Sequence, residues 1–289
     1  MVSPTLTIES LVGKTDDLPS MPEAALAVMR EADSATGSAQ GVATHLSRDQ
    51  SLSARVLRLV NSPFYGLTGE VVDLQQGVVV LGMRCVRNLA VVAGTYTWMC
   101  RPLRGYRLEP GQLWDHSISV AVGAQLIARQ TRNVCPETAF TAGLLHDLGK
   151  CVLSVWLENK LDLAWKYSQR EKVPFYVAEQ KLFGFDHQAV GAFLASKWGL
   201  PTVFVDAIAW HHEPKSATKS QGIVDVVHVA DYLTMTTGFG LGGDGLQYDL
   251  DEEAFARIGL KPEGLEKLIG QFVDEVGAYK EMLDSISGD

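Results

Sequence analysis

The chain has 289 residues, 46% of them apolar and 20% charged, with 10 Phe, 8 Tyr and 6 Trp. These are the proportions of a globular protein with one large domain or two modest ones sharing a core; a disulfide-stapled miniprotein and a mainly disordered chain are excluded. The net charge of −9 sits almost wholly in residues 244–289, where twelve acidic side chains face Arg257, Lys261, Lys267 and Lys280.

No apolar run approaches the ~18 residues that a membrane helix requires, and the opening residues show no basic region followed by an apolar one. The expected location is therefore the cytoplasm, with no membrane partner. Cys85, Cys100, Cys135 and Cys151 are too widely spaced for a metal knuckle or a secreted disulfide frame, and read as plain thiols.

Apolar positions recur at three and four residues almost throughout, so the expected fold class is all-α. Leu18 to Glu23 reads as a turn and cap that opens a helix through Met29. Leu52, Val56, Leu59 and Val60 form one stripe. Asp73 is placed to cap a helix holding Val78 to Leu81; the β-branched run also suits a strand, but no partner run follows and the flanks favour helix. Gly82 offers a stop before a second helix from Met83 to about Trp98. Arg101 to Gly111, with two prolines and two glycines, reads as a loop between an N-terminal half and a second half. Helices are then expected at 112–131, 136–145, 158–171, 174–182, 186–198 and 201–211, with Asp186 as an N-cap and Pro174 and Pro201 in first turns. A polar linker at 215–222 precedes a helix over 223–237. Gly238 to Gly245, with five glycines, predicts a flexible break before the acidic helical tail.

Seven residues of metal-ligand type stand out in or beside apolar helices: His116, His146, Asp147, His187, His211, His212 and Asp231. In Leu144 to Lys150 a histidine and a carboxylate stand side by side among leucines. Burying both is costly unless something compensates them, and a cation does that. Neighbouring helical positions point about 100° apart, so His146 and Asp147 can share an ion only where the backbone opens at a helix end; Gly149 is expected to supply the opening. Imidazoles and carboxylates without thiolates favour an open octahedral site for Fe, Mn, Ni or Mg, or a Zn site. His45 and His228 read as ordinary satisfied or exposed histidines.

The order His116, His146-Asp147, His211-His212, Asp231 resembles the HD superfamily of metal-dependent phosphohydrolases. The segments Leu18 to Pro22, Asp49 to Leu52, Leu57 to Ser62, Val80 to Gly82, Glu179 to Gly184, Asp186 to Gly191, Trp198 to Pro201 and Ala207 to His212 resemble the HDOD family, the HD-related output domain of bacterial signalling proteins. The organisation this implies is an N-terminal segment (1–17), an HDOD domain (18–215) and a C-terminal helical extension with the acidic tail (216–289). Within the domain, an N-terminal helical bundle (18–100) is expected to pack on an HD-like half (112–215).

The resemblance implies a regulatory output that works through signalling-protein partners or a ligand. It also implies one or two divalent ions: His116, His146, Asp147 and Asp231 match the ligands of one, and His187, His211 and His212 help hold a second. The alternative it carries is a metal-dependent phosphohydrolase acting on a nucleotide or phosphoester, with Asp147 bridging and Lys150 on the phosphate as its catalytic residues. Cys151 to Trp156 shows no trace of the Gly-Tyr-Pro motif of the superfamily's cyclic dinucleotide phosphodiesterases. No receiver, GGDEF-type or DNA-binding segment is visible, so input is expected in trans.

Arg84, Arg87, Arg101, Arg104 and Arg107, interleaved with Tyr96, Trp98 and Tyr106, suggest contact with bases. The plainer expectation is a polar helix face followed by an exposed loop, without nucleic acid as a partner. A further expectation places residues 244–289 over this basic stretch as a removable cover, hinged at the glycine run.

Overall fold

Helices start where the sequence offers a cap. Asp49, Asp73 and Asp186 each accept a hydrogen bond from the backbone N–H three residues on, at 2.9, 2.8 and 2.8 Å. A computed structural model describes residues 7–13, 21–239 and 249–287 of the chain. Fifteen α-helices are present among them, with no strand beyond an isolated bridge between Leu103 and Leu108, so the protein is all-α. They are α1 (Ile8–Gly13), α2 (Glu23–Asp33), α3 (Ala39–Leu46), α4 (Gln50–Val60), α5 (Leu74–Leu81), α6 (Met83–Met99), α7 (Gln112–Thr131) and α8 (Pro136–Leu145). They continue as α9 (Leu148–Glu171), α10 (Phe175–Phe183), α11 (His187–Lys197), α12 (Thr202–Trp210), α13 (Gln221–Thr236), α14 (Glu252–Arg257) and α15 (Leu265–Ser287).

Two expectations shift. Helix α9 begins ten residues before the expected 158, running through a non-helical Leu157 (φ −120°, ψ 15°). Pro174 and Pro201 stand one step outside their helices, at the cap itself. Val78 to Leu81 is helical, and Gly82 ends it at φ 84°. Most of the glycine run, at residues 240–248, lies outside the described residues, as do Leu18 to Ser20.

The helices gather into two compact units. One comprises α1 and the chain from Trp98 to Pro262. Its centre is α7, which packs on α8 and α13 and buries residues from Leu113 to Ala128. A Cβ on Gly143 would stand 2.9 Å from Ala121 Cα and Val120 O, so glycine there sets how closely α8 lies on α7. Helix α9 packs on α10 and α11, and α11 on α12. Helix α14 rests on α13, where Arg257 donates twice to the buried Asp225, at 2.8 and 2.7 Å.

The other unit comprises Met21 to Thr97 and the chain from Glu263 onward. Here α2 packs on α3, α3 and α4 on α5, and α15 on α4. Asn61 donates to Val71 O (2.8 Å) and accepts from Val71 N (2.7 Å), closing the loop between α4 and α5. Residues 216–289 are thus divided, with α13 and α14 in one unit and α15 in the other.

The arginine run does not present one stacking face. Arg87 is wholly buried in α6, where its guanidinium pairs with Asp33 and donates to Asn88. Trp98 and Tyr106 are buried, and Arg107 lies 3.4 Å above the Trp165 ring while donating to Asp162 at 2.9 Å. Removing one partner strands the other's charge, and Asp33 is 28% exposed, which tempers the cost. Asp33→Asn is therefore expected to lower stability by about 2 kcal/mol in urea titration, with Asp162→Asn close to neutral.

Candidate metal centre

The chain breaks its helical course where two ligand-type residues meet. Helix α8 ends at Leu145, His146 keeps helical dihedrals, Asp147 leaves them (φ −95°, ψ 15°), and α9 starts at Leu148. This turn lets consecutive side chains converge, with His146 Nε2 3.3 Å from Asp147 Oδ2. Gly149 is not the opening. A Cβ there would stand 1.8 Å from His187 O, so this glycine lets the first turn of α9 touch the start of α11.

The remaining residues arrive from four other places. His116 lies in the second turn of α7 and His187 opens α11 behind the Asp186 cap. His211 and His212 follow the last residue of α12, and Asp231 lies midway along α13. All seven sequence-identified positions come together in two adjoining groups. His116, His146 and Asp231 form one, Asp147, His187, His211 and His212 the other, with the ligand atoms of each within 4.8 Å of one another.

Asp147 stands between the groups. Its Oδ2 faces His146 and His116 at 3.3 and 3.7 Å, and its Oδ1 faces His187 and His211 at 3.5 and 3.6 Å. Asp231 Oδ1 lies 3.1 Å from His116 Nε2, and Lys150 Nζ lies 2.8 Å from Asp147 Oδ2. His228 stands nearby but is satisfied on both nitrogens, by His211 O (2.7 Å) and Asp251 N (2.9 Å).

The outer nitrogens settle which way the rings point. Nδ1 of His146 donates to Gly143 O (2.7 Å), that of His211 to Ile208 O (3.0 Å), that of His116 to Phe239 O (3.4 Å) and that of His187 to Glu179 Oε2 (2.7 Å). A neutral imidazole that donates from Nδ1 presents a lone pair at Nε2. The lone pairs of these four rings face inward: the Nε2 atoms of His116 and His146 are 3.3 Å apart, and His187 Nε2 lies 3.1 Å from His212 Nε2. Asp147 Oδ1 and His211 Nε2 are buried without a hydrogen bond, while Asp147 Oδ2 is held by the Lys150 ammonium. Acceptors aimed at acceptors repel unless a cation lies among them. Asp147, Glu179 and Asp231 are buried carboxylates and Lys150 is a buried ammonium paired with Asp147, so a divalent ion would offset the negative charge that is left over. The donor set therefore fits a metal ion.

Protonation follows the same logic. Burial alone would raise the Asp147 carboxyl, but Lys150 and then His146 hold it well below the usual carboxylate range. Burial pulls His146 and His187 down, and Asp147 for the first and Glu179 for the second bring them above the usual histidine value. Burial pushes His211 down to about 4, and it depresses His212 together with His211 and His187.

Glu179, which the sequence analysis placed in a family-like segment without a role, belongs to the site. It is wholly buried and accepts from His187 N (3.0 Å), His187 Nδ1 and the Tyr106 hydroxyl. Glu179→Gln is expected to weaken metal binding roughly 10- to 100-fold, because an amide can present a donor where His187 needs an acceptor. Calorimetric titration with Mn²⁺ measures this; an unchanged affinity would show that the Nδ1 contact does not orient the ring.

Among the described residues no helix is long and apolar enough to cross a membrane. The HDOD domain model matches residues 18–214. A crystal structure of an HDOD domain protein of unknown function from Geobacter sulfurreducens is 27% identical, covering 96% of this chain and 93% of that one, with a TM-score of 0.70. A candidate phosphohydrolase from Shewanella amazonensis is 25% identical, covering 93% and 97%, with a TM-score of 0.61. An uncharacterized protein of Treponema pallidum is 25% identical over 224 residues, which are 77% of this chain and 43% of that relative. The chain thus spans less than half of that relative's length.

Proposed function

The chain belongs to the HDOD family, and from that premise we propose that it is a regulatory output protein of bacterial signal transduction, which acts by binding and carries a divalent-metal centre. The ligands in this reading are His116, His146, Asp147, His187, His211, His212 and Asp231. The observation that carries it is the convergence of inward-facing Nε2 lone pairs on Asp147, whose Oδ1 is buried without a hydrogen bond. A bound ion also gives the centre a structural purpose, since five separate helices or helix ends close on it and binding is thereby linked to folding.

A second reading, metal-dependent hydrolysis of a phosphoester, is favoured by Lys150. Its ammonium is buried beside Asp147 Oδ2, where it would offset charge on a phosphoryl group. Metal ions bound here would supply Lewis acidity and a more acidic water. Asp147 holds its position between the two ligand groups, and Lys150 holds a proton close to it. The likeness to a candidate phosphohydrolase supports this second reading.

Metal analysis by mass spectrometry tests the first reading. The wild type is expected to retain about one divalent ion per chain or more, and a His146→Ala, Asp147→Ala variant to retain none; equal metal in both would overturn it. A panel of phosphoesters with Mn²⁺, Fe²⁺ or Ni²⁺ separates the readings. Metal without turnover is expected, and turnover lost in Lys150→Ala would establish the hydrolase.

A further inference from the structure

A cavity of about 450 Å³ adjoins the centre within the same unit. Of the seven candidate ligands only His212 lines it, with the Tyr176 ring lying flat on the imidazole at 4.9 Å and 14°. The His211 ring lies 4.1 Å from that of His212, and its Nε2, a buried acceptor without a hydrogen bond, lies 3.6 Å from Asp147 Oδ1.

The wall opposite is the approach to α14 and its first turn. It supplies Asp249, Asp251, Glu252 and Glu253. Asp251 is engaged as the N-cap, accepting from the backbone of Glu253 and Ala254 at 2.9 and 3.0 Å. Asp249, Glu252 and Glu253 are exposed. Lys215 is the lining residue of opposite charge, 3.6 Å from Asp251 and 3.7 Å from Glu253. His228 is engaged on both nitrogens.

Such a rim repels an anionic phosphoester and attracts a hydrated cation, and a concave wall of low dielectric focuses the attraction. We infer that this cavity is the path by which the divalent ion reaches the centre, with His212 as the first protein ligand it meets. Asp249, Glu252 and Glu253 concentrate the ion at the mouth, and His212 passes it to the acceptors behind. The inference rests on the metal reading above and adds to it a route and an electrostatic cause for the loading rate.

The test mixes Co²⁺ with the chelator-stripped full chain in a stopped-flow spectrometer and follows visible absorption. An Asp249→Asn, Glu252→Gln, Glu253→Gln variant is compared with a charge-matched control carrying Glu263→Gln, Glu266→Gln and Asp274→Asn. At low salt the rim variant is expected to load about ten-fold more slowly than the wild type, while the control keeps the wild-type rate. At high salt the difference is expected to shrink. The final Co²⁺ content of the rim variant is expected to stay that of the wild type, which shows that its centre is intact. Equal loading rates in rim variant and control would overturn the path and leave the metal reading standing. No Co²⁺ uptake by the wild type would overturn both.

Discussion

Gly149→Ala is expected to weaken metal binding at least ten-fold and lower stability by about 3 kcal/mol, although alanine is the better helix former by about 1 kcal/mol. The methyl group would stand 1.8 Å from His187 O, 2.7 Å from His187 C and 2.8 Å from Gly191 N. All three are backbone atoms, which no rotamer change can move aside, so α9 and α11 have to part. His187 opens α11 and moves with it, and a ligand displaced in this way costs roughly ten-fold or more in metal affinity. Gly270→Ala, in α15 with nothing within 4 Å of the added methyl, is the control; there alanine is expected to stabilise by up to about 1 kcal/mol. Metal analysis and urea unfolding check both variants. If they behaved alike, the close approach of the two helices would not govern the centre.

Chelation is expected to lower the melting temperature of the wild type by about 10 °C. An ion present at 1,000 times its dissociation constant contributes about 4 kcal/mol, and a protein of this size responds by about 2–4 °C per kcal/mol. The physical source is the inward-facing set of acceptors, which repel one another once the cation is gone. The His146→Ala, Asp147→Ala variant is expected to melt at the same temperature with and without chelator. Calorimetry on the full chain measures the difference; a wild type indifferent to chelation would mean that Lys150 and protonated histidines alone compensate Asp147.

What could be seen in the sequence was whatever is expensive out of place. A histidine and an aspartate among leucines have no cheap bland explanation, so His146-Asp147 drew attention, and Asp73 and Asp186 announced helix starts because capping is a local act. What stayed hidden depends on partners far away in the chain. Glu179 sits between Ala178 and Gln180 and looks like a solvated helix face; only the fold brings Tyr106 and His187 to it. Arg87 read as part of a basic run because nothing local shows that Asp33 meets it across 54 positions. Gly149 was noticed for the wrong reason, since a glycine that allows an opening and one that allows two helices to touch look the same in a sequence. The first turns of α9 escaped notice because Cys151 to Leu153 are buried together, which leaves no period to detect.

The chain of contacts from His187 through Glu179 to Tyr106 has a consequence at the surface. Tyr106 closes a short 3-10 turn, which the paired backbones of Leu103 and Leu108 pin at its base and from which Arg104 and Arg107 project outward. Buried side chains in unbroken contact thus tie the first residue of α11 to an arginine-bearing loop, so a substitution at Glu179 is felt at both ends of the run.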